Sequence, residues 1–172
     1  MRTVVLGPNP ALEAVIARRH QLGQDLYDEV WEGEYHMAPA PTGPHAALQM
    51  RVPRLLWPAA DAAGLIDSGP FNLGDRDNFR VPDIGYHRVP PTGTWLATAA
   101  IVMEIVSPDD ETWAKFDFYL AHGVEEIIVV DPAEQSVRFF LRSGITYAES
   151  DVSLLLGVTS AWLAIDIDWP VI

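Results

Sequence analysis

The chain has 172 residues, 11 Lys+Arg against 24 Asp+Glu and a formal net charge of −13, a length that suits one domain with a sizeable core. With 49% hydrophobic residues and 0 cysteines, a disordered chain, a disulfide framework, a thiolate metal site and a cysteine nucleophile are all excluded. No apolar run approaches the roughly 18 residues of a membrane span, and the opening MRTVVLGPNPALEAV lacks the shape of a signal peptide, so a cytoplasmic chain without a membrane partner is expected.

In chain order, residues 1–26 form an N-terminal helical segment, with a helix predicted over 9–26 from Leu12, Val15, Ile16 and Leu22. Segment 28–38 alternates and reads as one strand, ended by Pro39, Pro41, Gly43 and Pro44. A helix is predicted over 45–63, kinked or broken at Pro53 and Pro58. Strands follow at 65–67, 70–73 and 79–87, then a loop at 90–94. The run AAIVMEIV at 99–106 reads as a strand buried on both faces. Ser107 caps a helix whose first turn holds Pro108, Asp109, Asp110 and Glu111, and Gly123 ends it. Strands at 125–131, 136–141 and 145–149 and an apolar segment over 154–163 complete the chain. This alternation, without linker or repeat, predicts a single α/β domain over 1–172, a mixed central sheet flanked by helices.

Few residues can carry chemistry. Asp83 follows Pro82 at the start of a strand, and Glu104 lies 21 residues later near the end of the central one. Neighbouring strands at that spacing bring two carboxylates together, a hard oxygen pair suited to Mg²⁺ or Mn²⁺. Glu104, a lone charge in an apolar strand, must be paired, ligate a metal or lie at an exposed end; Asp83 is equally readable as a turn residue. Ten of the basic residues are Arg and Lys115 is the sole lysine, and a compact ammonium is not interchangeable with a guanidinium at a site. Lys115, Tyr119 and His122 share one helix face; the bland alternative for Lys115 is a surface pair with Glu111, worth about 0.2–0.5 kcal/mol. Glu34 and His36 either flank the site from the first strand or form its wet face.

Pro82-Asp83, Glu104-Ile105-Val106-Ser107-Pro108, Lys115 with Tyr119, Gly123-Val124 and Val130-Asp131-Pro132 form an ordered set. That set resembles the Uma-type restriction endonucleases, a group within the PD-(D/E)xK nuclease superfamily. The resemblance runs from about Tyr27 to the C-terminus and takes in Gly33-Glu34 and His45. It implies a restriction-endonuclease-like fold and metal-assisted hydrolysis of phosphodiester bonds in nucleic acid, DNA ahead of RNA. It further implies Mg²⁺ or Mn²⁺ on Asp83 and Glu104, with Glu34 and the Ile105 carbonyl as additional ligands, Lys115 as the catalytic lysine, and His45 and Tyr119 around them. The superfamily's usual lysine stands two residues after the acid, where this chain has Val106; in the Uma-type pattern the lysine comes from the following helix. An acidic chain holds DNA poorly, so a homodimer, a partner or a substrate other than long duplex DNA is expected. The alternative is a catalytically silent dimeric interaction or regulatory module.

Overall fold

The structure is a computed structural model and describes residues 3–5, 9–108 and 111–171. Strand β1 (Thr3–Val5) precedes helix α1 (Pro10–Gln21), which starts where the Asn9 side chain accepts the Ala11 N–H at 3.1 Å. The helix is shorter than the predicted 9–26 because Gly23 turns the chain at φ 62. Arg19 then ties it to the next element through Asp28, at 2.6 Å.

Segment 28–38 is a hairpin, not one strand. β2 (Glu29–Trp31) and β3 (Glu34–Met37) pair antiparallel, with Glu29 opposite His36 and Trp31 opposite Glu34. The turn between them has Glu32 at φ 48 and Gly33 at φ 88, the left-handed pair whose twist matches a two-residue hairpin. Cross-strand partners share a face, so Glu29, Trp31, Glu34 and His36 lie on one side and Val30 and Tyr35 on the other. Trp31 and His36 stack there at 4.4 Å between ring centroids.

Helix α2 (Gly43–Ala62) is capped by Thr42 and buries Leu48, Val52, Leu56 and Ala60, one residue every four. Fully burying such a side chain contributes roughly 1.5–3 kcal/mol. Contrary to the predicted break, the helix runs unbroken through Pro53 and Pro58. Both prolines lie off the buried stripe, and Pro58 is exposed, so packing outweighs the lost backbone bonds and water can reach the freed carbonyls.

Four short strands follow, β4 (Ile66–Ser68), β5 (Asn72–Asp75), β6 (Asn78–Arg80) and β7 (Ile84–His87), then β8 (Trp95–Leu96) and β9 (Ile101–Ile105). The single strand predicted over 79–87 is therefore two. Pro82 has no N–H for a ladder, and the chain crosses there from one sheet to another. A 3₁₀ turn at Thr112–Lys115 leads into α3 (Phe116–Ala121), followed by β10 (Glu126–Asp131), β11 (Ser136–Ser143), β12 (Thr146–Ser150) and α4 (Ser160–Asp166). Described helical structure after β9 thus begins at Thr112, not Ser107; the acidic first turn predicted on Asp109 and Asp110 lies outside the described residues.

Among the described residues the strands form two mixed six-stranded sheets rather than one, in the orders β1-β3-β2-β6-β5-β8 and β12-β11-β10-β9-β7-β4. The second is central. Its parallel pair β9–β10 is joined by the crossover that carries the 3₁₀ turn and α3. Alternation splits β9 between two cores: Ile101, Met103 and Ile105 pack with α2 and α4, while Val102 packs with Phe118 and Tyr119 of α3. Period two therefore sends Glu104 to the α3 side.

Candidate active site

β7 and β9 pair antiparallel, with Ile84 opposite Met103 and Gly85 opposite Val102. Continued by one residue, that register sets Asp83 opposite Glu104; the Glu104 side chain turns to α3, while Asp83, at a bend just before β7, turns toward the start of α2. Asp83 stands in for the missing ladder partner: the Ile105 N–H donates to its Oδ2 at 2.8 Å. Its other oxygen, Oδ1, accepts from Gln49 Nε2 at 2.9 Å and from His45 Nε2 at 2.9 Å. The other ring nitrogen, Nδ1, lies 3.0 Å from Ser107 Oγ, so the imidazole is held at both ends. His45 and Gln49 stand four residues apart on α2 and so share a face.

Glu104 is 3% exposed. Its Oε1 accepts from the Tyr119 hydroxyl and from Lys115 Nζ at 3.2 Å; Oε2 has no hydrogen-bond partner among the described residues. The ammonium of Lys115 also lies 2.9 Å from Glu29 Oε1. Glu29 is in turn held by the Val81 N–H at 2.7 Å and by Trp31 Nε1 at 2.6 Å. Lys115 and Tyr119, four residues apart, thus approach one carboxylate from the crossover, and Glu29 reaches the same lysine from the other sheet.

Burial pushes the Glu104 carboxyl up to about 8. Lys115 opposes that rise, Asp83 adds to it, the Tyr119 hydrogen bond opposes it and Glu29 adds again. Burial would lower Lys115, yet Glu104 and Glu29 outweigh it and hold the ammonium above the ordinary lysine value. Tyr119, raised by burial and then by Glu104 and Glu29, keeps its proton and remains a donor.

Asp83, Glu104, Lys115, Glu29, His45 and Ser107 line a cleft of about 410 Å³ at the carboxyl end of β9, walled by Tyr27, His36, the segment Met37–Thr42 and Pro108. No group of three or more His, Asp and Glu side chains among the described residues is placed to enclose a cation. The donor set fits Mg²⁺ or Mn²⁺ nonetheless. Such ions take hard oxygens, keep several waters and are held by one or two carboxylates plus substrate phosphate. Asp83 and Glu104 supply two carboxylates in one cleft, and Glu104 Oε2 is unengaged.

Asp83, Glu104, Lys115, His45 and Tyr119 are therefore brought together as the sequence predicts. Glu34 is not: its side chain is exposed and does not line the cleft. It shares the hairpin face with Glu29 but sits beside the turn, two residues farther out. From the same hairpin face Glu29 reaches the cleft instead, on Lys115, and Gln49 and Ser107 also contact the site residues unpredicted. The signal for Glu29 was its place on the Trp31 side of a strand, readable only once the turn at Gly33 is recognised. Lys115 turns to Glu29 and Glu104 rather than standing as a surface partner of Glu111, whose Oε2 lies 3.6 Å from His36 Nδ1. His122 points elsewhere, stacked on Phe118 at 3.9 Å.

The family model Uma2, described as a putative restriction endonuclease, matches residues 18–167. The chain belongs to this family. A solved structure, of a putative nuclease belonging to DUF820 from Anabaena variabilis ATCC 29413, is similar with a TM-score of 0.66, over 81% of this chain and 90% of that one, at 19% identity. At that identity the likeness establishes the fold, a nuclease-like mixed α/β architecture. No curated protein matches the sequence, and no helix among the described residues is long and apolar enough to cross a membrane.

Proposed function

We propose that the chain is a metal-dependent nuclease that hydrolyses phosphodiester bonds in nucleic acid, DNA before RNA. The observation that carries this reading is the burial of the sole lysine between Glu29, at 2.9 Å, and Glu104, at 3.2 Å, with Asp83 across the strand pair. A charge set in that position is costly to keep, and a nuclease site gives it a use.

Asp83, Glu104 and the Ile105 carbonyl would hold Mg²⁺ or Mn²⁺. When bound, such an ion supplies Lewis-acid polarisation of the phosphate and acidifies the attacking water. The chain's own groups do the rest. Ile105 N–H, Gln49 and His45 hold Asp83 so that its carboxylate faces the cleft in one rotamer. Tyr119 holds Glu104 Oε1 and leaves Oε2 directed at the cleft. Lys115, anchored by Glu29, offsets the negative charge that builds on the phosphate oxygens in the transition state, where a pre-placed cation in a dry site contributes most. Ser107 keeps His45 from rotating off Asp83.

The test is cleavage of plasmid and oligonucleotide substrates with Mn²⁺, Mg²⁺ or EDTA. Cleavage that requires the ion and is lost in Asp83→Asn is expected. No cleavage with either ion, together with no thermal response to them, would favour the silent dimeric module, the reading to which the charge of −13 otherwise lends support.

A further inference from the structure

The same cleft also bears on which nucleic acid enters it. Its floor is recessed: Glu104 is 3% exposed, Glu29 7%, and the Lys115 side chain 11%. A scissile phosphate must reach that floor past the walls. A volume of about 410 Å³ lies near the lower end of the roughly 300–1,000 Å³ of small-ligand clefts, room for about one nucleotide.

Charge points the same way. Among the described residues lining the cleft, Lys115 is the sole lysine and no arginine occurs, against Glu29, Asp83, Glu104 and Glu111. Four of the described arginines are paired with carboxylates. Arg19 pairs with Asp28, Arg51 with Asp168 and Arg88 with Glu125. Arg80 pairs with Glu32 and lies buried between Trp31 and Phe118, 4.2 and 4.1 Å from their ring centroids. A duplex is held by a track of cations that displaces counterions from several phosphates, whereas Lys115 is the one Lys or Arg among the described residues that line this cleft.

The walls instead offer flat and apolar surface. Tyr27 is half-buried, lines the cleft with Met37, Pro39, Pro41 and Pro108, and its hydroxyl has no hydrogen bond to any described residue. A half-exposed ring beside a phosphate site is the platform on which an unpaired base stacks, and stacking tolerates any base. We infer that the substrate is an unpaired nucleotide segment, a single strand or a frayed end, inserted about one nucleotide deep with its base against Tyr27 and its phosphate over Lys115. This rests on the nuclease reading above and narrows its substrate class.

The experiment uses the full chain with a labelled 12-nucleotide single strand, the same sequence as duplex, and the small ester bis(p-nitrophenyl) phosphate. Turnover is measured in Mn²⁺ and binding by fluorescence anisotropy in Ca²⁺. The single strand is expected to exceed the duplex at least tenfold in kcat/KM and in affinity, with a log–log salt slope of about −1 to −2, the mark of few phosphate contacts. Tyr27→Ala is expected to raise KM for the single strand roughly tenfold while kcat moves less than threefold, the loss of one stacked base. Duplex turned over or bound as well as single strand, or a slope near −6, overturns the substrate assignment while leaving the nuclease reading intact. Absence of hydrolysis of all three substrates overturns the nuclease reading, and the anisotropy arm still decides between single strand and duplex.

Discussion

Lys115 and Glu29 meet across the two sheets, the Nζ of one 2.9 Å from Oε1 of the other. Glu29 comes from the hairpin of the first sheet, and Lys115 from the crossover of the second. The same nitrogen lies 3.2 Å from Glu104, so a single ammonium joins the two sheets at the floor of the cleft. Removing it leaves two carboxylates sharing a buried space. Lys115→Met is therefore expected to cost about 3 kcal/mol in urea unfolding. Adding Glu29→Gln should restore part of that loss, with a coupling of about 0.5–3 kcal/mol. Strict additivity of the two changes would show that the pair does not hold the sheets together.

Lys115→Arg separates charge from shape. The guanidinium is wider and planar and cannot occupy the point between Glu29 and Glu104. Turnover on any substrate the wild type cleaves is expected to fall about a hundredfold or more, on the scale of losing one transition-state contact. Undiminished kcat would remove Lys115 from the mechanism.

Glu29 and Glu34 make a matched comparison on one hairpin face. Glu29→Gln weakens the hold on Lys115 and turns one carboxylate oxygen that accepts from Val81 or Trp31 into a donor; a loss of about 2–3 kcal/mol in unfolding free energy is expected. Glu34→Gln changes an exposed group and should stay within about 0.5 kcal/mol, with normal turnover. Equal effects of the two changes would restore Glu34 to the site.

Metal dependence can be read without turnover. Mn²⁺ at about a hundredfold its Kd should stabilise the wild type by about 2.7 kcal/mol, a rise in Tm of about 5–10 °C. The double variant Asp83→Asn with Glu104→Gln should lose that response. Without metal it should be less stable than the wild type, because Lys115 loses its Glu104 partner and Asp83 can no longer accept from Ile105, Gln49 and His45 together. Equal Tm responses to Mn²⁺ in the two proteins would make these carboxylates structural.

The raised carboxyl of Glu104 gives the pH dependence its sign. Its folded value of about 8 stands above the ordinary 4.5, so the folded chain binds the extra proton between these values. Metal-free stability should therefore decline as pH rises through that window, and more steeply than in Glu104→Gln. Cation binding requires the ionised form, so the Mn²⁺-induced rise in Tm should grow from pH 6 toward about 8. A Tm response to Mn²⁺ that is flat across this range would exclude Glu104 as a ligand.

The chain's pattern alone specified the central strands, the buried place of Glu104 and the shared face of Lys115 and Tyr119, because these depend on periodicity: alternation along β9 and a four-residue step on the crossover. Asp83, equally readable as a turn residue, stands at a bend before β7. The buried lysine was likewise visible as the sole lysine of an arginine-rich set. Tertiary structure alone decided what crosses between elements. Whether Glu29 or Glu34 reaches the lysine depends on the two-residue turn at Glu32 and Gly33, which sets the hairpin register and leaves Glu34 at its exposed end. The division of 79–87 at Pro82 was decided by two sheets competing for one segment, each able to satisfy only part of its backbone. Gln49 and His45 converge on Asp83, and His45 also meets Ser107, because α2 packs its Leu48, Val52, Leu56 stripe on the central sheet. Side chains up to 62 residues apart in the chain, as His45 and Ser107 are, share no local signal, and only the energy of that packing brings them together.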